Sequence, residues 1–363
     1  MDGQTLGQGF SPGGRSPASE EMRARVQAGR AVIIAGEQVS AALSGGHPCS
    51  TWQGVVQSAI EWCGKHLEEL APGWAEQANS MLQWGLTDEP SARLLAADTV
   101  TGRLGGRDGI NYAAWLHEVV GELPLTDGAV AHAIADLRAP IIATTYDDLI
   151  ERALGWPGGP LTARDAYRVR RALTNQSRAV IRLYGRFDDP SSVLLGVRPG
   201  DEAFGPATSE VIRRIFVEGR TAMLIGSVAE PNLAVLRRWL LGGATGTVGQ
   251  HFWLCPDEDY PAVLDITGES TVTPLPYGTG LPGLLTLLRH LVAEPRNAVT
   301  LGSARDASES PEPSPLVGRE ELLRDIAVAL AEPSRSPRVV ALRGRIGVGK
   351  SRAARRKASA LEP

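Results

Sequence analysis

The most explicit chemistry in this 363-residue sequence lies in Gly344-Arg-Ile-Gly-Val-Gly349-Lys350-Ser351, which satisfies the spacing G-x-x-x-x-G-K-[ST]. An apolar strand pattern, residues 338–342, precedes it and a helix-compatible stretch follows, the setting such a loop requires. Gly344 and Gly349 let backbone N–H groups converge on phosphate oxygens, Lys350 reaches the β- and γ-phosphates, and Ser351 offers a hydroxyl to Mg²⁺. Only 12 residues follow Ser351, short of a second strand with a Walker B acid, a sensor or a lid. One βα unit cannot bury its own apolar face. The expectation is the front of a longer protein or a vestige. ATP/Mg binding then awaits a complete NTPase module, and this chain by itself offers at most weak phosphate binding.

The elements that must position such chemistry follow from composition and pattern. Apolar residues are 43% and charged residues 21% of the chain, ordinary globular usage that supports a sizeable core. At roughly 150 residues per domain the length suits about two domains. A formal charge of −4 argues against a nucleic-acid or anionic-membrane partner. Of the 37 basic residues only Lys65, Lys350 and Lys357 are lysines, a codon-usage signature rather than a functional one. Cys49, Cys63 and Cys255 are far apart with no Cys-x-x-Cys pair, so no metal site and no disulfide framework is expected. The N-terminus has no basic-then-apolar leader, and no apolar run approaches about 18 residues. These features predict a cytoplasmic protein.

Residues 1–19 are rich in Gly, Ser and Pro without periodicity and are expected to be disordered. From 20 to 293, short apolar runs alternate with amphipathic helical patterns such as Trp52–Leu70 and Asn232–Leu241. The runs are Ala31–Ala35, Ile141–Thr145, Ala179–Leu183, Ala222–Ile225 and His251–Cys255. That alternation predicts an α/β domain, a Rossmann-like parallel sheet with helices on both faces. The spacings of Trp52, Trp62, Trp74, Trp84 and Trp115 read as core packing. A Ser/Pro/Glu-rich linker spans 294–315, and 316–363 holds a helix pattern at 319–331, one strand and the phosphate loop.

Five segments taken in order carry a resemblance to the sirtuin-like fold, in particular to bacterial defence-associated NAD⁺ hydrolase domains fused to STAND NTPases. They are Val32-Ile-Ile-Ala-Gly36-Glu-Gln38-Val-Ser40 with Thr51-Trp52-Gln-Gly54; Ala143-Thr-Thr145-Tyr-Asp147-Asp-Leu-Ile-Glu151; Val180-Ile-Arg-Leu-Tyr184-Gly185-Arg-Phe-Asp188-Asp-Pro190; Leu224-Ile-Gly226-Ser227-Val-Ala-Glu230-Pro231-Asn232; and Pro276-Tyr277-Gly278. They sit where the family has a G-A-G-x-S loop, T-N-Y-D-x-L-x-E, an H-G with an acidic turn, G-x-S/T-x-x-D-P-N, and a late strand and turn. Pro315-Leu-Val-Gly-Arg-Glu-Glu similarly resembles the box that opens AAA and STAND modules. The paired Cys-x-x-Cys zinc module of sirtuin deacetylases is missing, which points toward the NAD⁺-consuming branch rather than lysine deacetylation.

The resemblance implies a dinucleotide or ADP-ribose ligand held by Gly36, Ser40, Gly226, Ser227, Glu230 and Asn232. It implies chemistry at Thr145, Tyr184 and Asp147. Three positions depart from the pattern. Gln38 replaces a loop glycine and puts bulk where backbone would meet phosphate. Glu37 adds an anion there: two unit charges about 4 Å apart repel by roughly 4 kcal/mol at an effective dielectric of about 20, if Glu37 points inward. Thr145 stands for the family's Asn and Tyr184 for its His, and a phenol of pKa about 10 is a poor base at neutral pH. Bland roles compete at several positions. Ser40 or Asn232 could cap a helix, Gly226-Ser227 could be a plain turn, and Asp147, Asp148 and Glu151 suit capping and ion pairing.

The expected protein is therefore a sirtuin-like NAD-binding domain with a degenerate site and weak or vestigial NAD binding. Two alternatives stay open: an active NAD⁺ glycohydrolase effector fused to a STAND NTPase, and a nucleotide-binding assembly module. A homo-oligomer or a sensor partner is implied by resemblance alone.

Overall fold

The computed structural model describes residues 16–292, apart from 69, 88–89, 157–160, 163–164, 176–178, 197–210, 212–218, 234–235, 237–249 and 269. These residues belong to one compact unit, Met1–Arg296; the second unit, Asn297–Pro363, lies outside the described residues. The linker expected at 294–315 and the phosphate-loop residues Gly344, Gly349, Lys350 and Ser351 lie outside them as well.

Seven strands form one wholly parallel sheet: β1 (Ala31–Ala35), β2 (Ile141–Ala143), β3 (Leu161–Thr162), β4 (Val180–Arg182), β5 (Thr221–Ile225), β6 (His251–Cys255) and β7 (Val272–Pro276). Their order is β3-β4-β2-β1-β5-β6-β7. Every residue of β1, β5 and β6 is buried. Alternate side chains of a strand point to opposite faces, so both faces of the sheet are covered by helices. This is the α/β Rossmann-like architecture that the apolar runs predict. Among the described residues no helix is long and apolar enough to cross a membrane.

The chain builds β2, β3 and β4 on one side of β1, then crosses to lay down β5, β6 and β7 on the other. The strand order therefore reverses between β1 and β5, where open α/β sheets form their ligand crevice. Register sharpens the point. Ala35 is paired with Ala143 on one side and Ile225 on the other, and Ala143 is paired with Arg182. The segments beginning at Gly36, Thr144, Leu183 and Gly226 thus leave the sheet at one level along its carboxyl edge.

Two differences from the sequence reading have local causes. Helix α1 (Pro17–Gln27) starts inside the stretch expected to be disordered. Ser16 and Ser19 form a reciprocal capping box, Pro17 sits at the first helical position, and Met22 and Val26 are buried. Strand β7 extends back to Val272 although Pro274 and Pro276 weaken its strand signal. Tyr277 N–H donates to Cys255 O (3.0 Å), so odd-numbered N–H groups face β6. The prolines occupy positions facing the free edge, where a missing donor discourages further pairing.

Core packing accounts for Trp52, Trp62, Trp74 and Trp115, all buried; the side chain of Trp84 lies outside the described set. The three cysteines are unbridged, and burial pushes the Cys255 thiol up to about 12.

His251 opens β6 fully inside the sheet, and its Nδ1 accepts the Ala222 N–H (3.1 Å). Burial drives its pKa down to about 4. The folded protein therefore binds fewer protons here than the unfolded chain between about pH 6.5 and 4, and stability falls as pH drops through that window. We expect His251→Asn, which keeps an acceptor near Nδ1, to remove about 3 kcal/mol of this acid sensitivity, measured by urea unfolding at pH 7 and pH 4.

Candidate functional site

β1 passes directly into helix α2 (Glu37–Leu43) through the single residue Gly36, leaving no extended phosphate-binding loop. Gly36 N–H donates to Ile225 O (2.7 Å), and the Glu37 N–H donates to the carboxyl of Glu230, at Oε2 (3.0 Å). Glycine is required at 36 because a Cβ would lie 2.3 Å from Glu230 Oε2 and 2.9 Å from Ile225 O. The close approach expected for a ligand's phosphate is made instead by the protein's own side chain. Gly226 plays the same part across the gap, where a Cβ would meet Leu233 and Glu230 Oε2 at 2.9 and 3.0 Å.

Glu37 turns inward: its Oε2 accepts the Trp52 N–H (3.0 Å) at the start of helix α3 (Trp52–His66). The carboxyl of Glu230 is buried and also accepts the Thr144 hydroxyl. Burial first, and the negative charge of Glu37 second, push its pKa up to about 8. Gln38 lies off the cleft, its Oε1 accepting from Tyr277 Oη (3.3 Å).

The second cluster is organised by Arg182, a residue the sequence reading passed over. It is wholly buried, yet its guanidinium donates to both carboxylate oxygens of Glu151 and to Thr145 Oγ1 (3.3 Å), and approaches Asp147 Oδ1 at 4.0 Å. Arg186 adds a second cation 3.5 Å from Glu151. Ser40 donates its one hydroxyl proton to Asp147 Oδ2 (2.6 Å), so across the 3.1 Å to Thr145 Oγ1 it is the threonine that donates. The order runs from Arg182 through Thr145 and Ser40 to Asp147, whose Oδ1 also accepts the Leu149 N–H (3.0 Å) at helix α4 (Leu149–Leu154). The helix cap expected of Ser40 is corrected: it lies inside α2, whose N-cap is Gly36, and the hydroxyl expected to meet a phosphate donates to Asp147. The ion-pairing reading of Asp147 and Glu151 is the one the geometry fits.

Tyr184, at the expected base position, donates its hydroxyl to Asn232 O (2.8 Å). Burial holds the phenol well above its usual range, and Tyr184 does not line the cleft. The carboxamide nitrogen of Asn232 donates to Thr144 O and Tyr146 Oη, each at 2.8 Å, so it bridges two segments rather than capping its own helix. Ser227 Oγ accepts the Ala229 N–H (3.1 Å), the turn role set against a ligand contact.

A cleft remains at the switch point, lined by Glu37, Trp52, Thr144, Tyr146, Glu230 and Asn232 among others. Among its described lining residues none is Lys, Arg or His. Its cavity volume is about 10 Å³, room for about one water. Small-molecule sites usually span about 300–1,000 Å³. A dinucleotide diphosphate would need free N–H donors or cations. Here the Glu37 N–H and the Ser40 proton are engaged, and Glu37 and Glu230 flank the path. The residues present do not fit NAD⁺.

Fold and site together define an α/β Rossmann-like protein with a carboxyl-lined cleft at its topological switch point. Compared with models of known protein families the chain matches none, and no curated protein matches it.

Two outcomes follow from this geometry. Glu230 binds a proton in the folded state over about pH 4.5–8 that the unfolded chain has released, so stability falls as pH rises through that window and levels above it. Glu230→Gln should flatten the fall, with a gain of roughly a few kcal/mol at pH 8 in urea titrations. Arg182→Met leaves buried Asp147 without its cation and Glu151 with Arg186 alone, and should cost roughly 3–5 kcal/mol by the same measurement.

Proposed function

We propose that residues 16–292 are a sirtuin-like domain of the kind found in bacterial antiphage-defence effectors, one that has lost dinucleotide turnover and serves as a binding or assembly module. The observation that carries this reading is the Glu230 carboxyl seated on the Glu37 N–H, where the family's loop would receive a phosphate. Support also comes from place: the segments that carry the resemblance converge at the carboxyl edge of β1, β2, β4 and β5, at the switch point. The P-loop motif at Gly344–Ser351 supports the further reading that a STAND-type module begins at about 316.

Cleavage of the nicotinamide–ribose bond requires a base matched to neutral pH and a group that positions ribose or water. Thr145 accepts from Arg182 and contacts Ser40, and Tyr184 is tied to a backbone carbonyl. An active NAD⁺ glycohydrolase would have to recruit Asp147 or Glu151, whose oxygens serve Ser40, Leu149 and Arg182.

Purified full-length protein incubated with a fluorogenic NAD⁺ analogue should release no fluorescence above buffer, and calorimetric titration with ADP-ribose should give no saturable heat. Clear release would instead establish the glycohydrolase.

A further inference from the structure

We propose that a cavity at the free edge of the sheet, between the start of α1, the turn after β6 and strand β7, binds a small organic cation that carries a guanidinium group. Its volume is about 440 Å³, within the range of about 300–1,000 Å³ usual for small-molecule sites. Ser16, Asp257, Tyr260, Pro274 and Pro276 are among its lining residues, and Tyr260 begins helix α5 (Tyr260–Thr267). The cavity shares no lining residue with the switch-point cleft, and what that cleft binds has no bearing on it.

The backbone of β7 makes one wall an array of acceptors. In a trans peptide the C=O points away from the next residue's N–H. Tyr277 N–H donates to Cys255 O in β6, so Pro276 O faces the uncovered edge, and two residues earlier Pro274 O does the same. Among the described residues no backbone N–H pairs with either oxygen, and the two prolines bring no N–H of their own. An approaching strand would meet acceptors without donors, whereas a ligand rich in N–H groups is matched. Charge selects further. Asp257 adds a carboxylate whose Oδ1 accepts the Gly278 N–H (2.9 Å), and an ionised carboxyl has acceptor capacity beyond that one bond. Glu258 and Asp259 follow it with the same sign, and none of the described lining residues is Lys, Arg or His. Tyr260 and the proline rings supply apolar surface. Guanidinium fits this set: it is planar, carries five N–H donors, is weakly hydrated and stacks on aromatic faces. An ammonium is compact and strongly hydrated, and its donors radiate from one atom, a poorer match to carbonyls about 7 Å apart along a strand.

The test is a titration of the full-length protein with n-butylguanidinium chloride at constant ionic strength, read by ligand-observed saturation-transfer NMR. A saturable curve is expected. Its half-saturating concentration should rise about fivefold in Asp257→Asn, a change that keeps an acceptor for the Gly278 N–H. Should that variant fail to fold, Tyr260→Leu, which removes the aromatic face, supplies the same comparison. On the wild type, tetramethylammonium has the charge without N–H donors and n-butylurea has donors without the charge, so each should need at least about fivefold more ligand. Absence of a saturable signal from n-butylguanidinium overturns the proposal. So does equal binding of the three compounds, or an unchanged curve in a folded variant.

Discussion

A helix that follows a parallel strand offers its first N–H groups at the carboxyl edge of the sheet, and those groups need an acceptor. Here the acceptor is Glu230, delivered from the turn after β5 onto the Glu37 N–H at 3.0 Å. Much of the site follows from that contact. Gly36 and Gly226 must lack a Cβ to admit the carboxyl, Thr144 turns its hydroxyl toward it, and burial, with Glu37 second, raises its pKa. An edge that could receive an external anion is closed by an internal carboxyl.

The second organising group, Arg182, ties together residues that look reactive in one dimension. A guanidinium buried on β4, one strand in from the sheet edge, requires carboxylates, and it obtains Glu151 fully and Asp147 in part. Breaking such an arrangement is costly even where its formation contributes little, because each remaining charge would be left in a low-dielectric interior. Thr145, Ser40 and Asp147 are thereby locked as links of one hydrogen-bonded chain.

Legibility from sequence differed by element. β1 and β6 were readable to the residue because five consecutive apolar side chains in β1, and four after His251 in β6, are bounded by turns as buried strands of a parallel sheet are. β3 has two residues and no run to detect, and β7 carries prolines whose harmlessness depends on which edge they face. The positions of the candidate site were legible, since the quoted segments leave the sheet together. Their roles were not: Gly36 reads as an approach for phosphate whether the approaching oxygen belongs to a ligand or to Glu230. Arg182 gives no signal in a run of strand residues, because its partners are 31 and 35 positions away.

The order of strands and helices, the parallel sheet and the absence of a tuned base at 184 were set by residue types along the chain. Periodicity and side-chain chemistry are local properties, and they survive without coordinates. Whether Glu37 faced the cleft, whether Ser40 kept a proton to donate, and where Glu230 ended depended on strand register and on contacts spanning more than a hundred residues. A hydrogen bond is decided within a few tenths of an ångström, and only the folded chain sets distances on that scale.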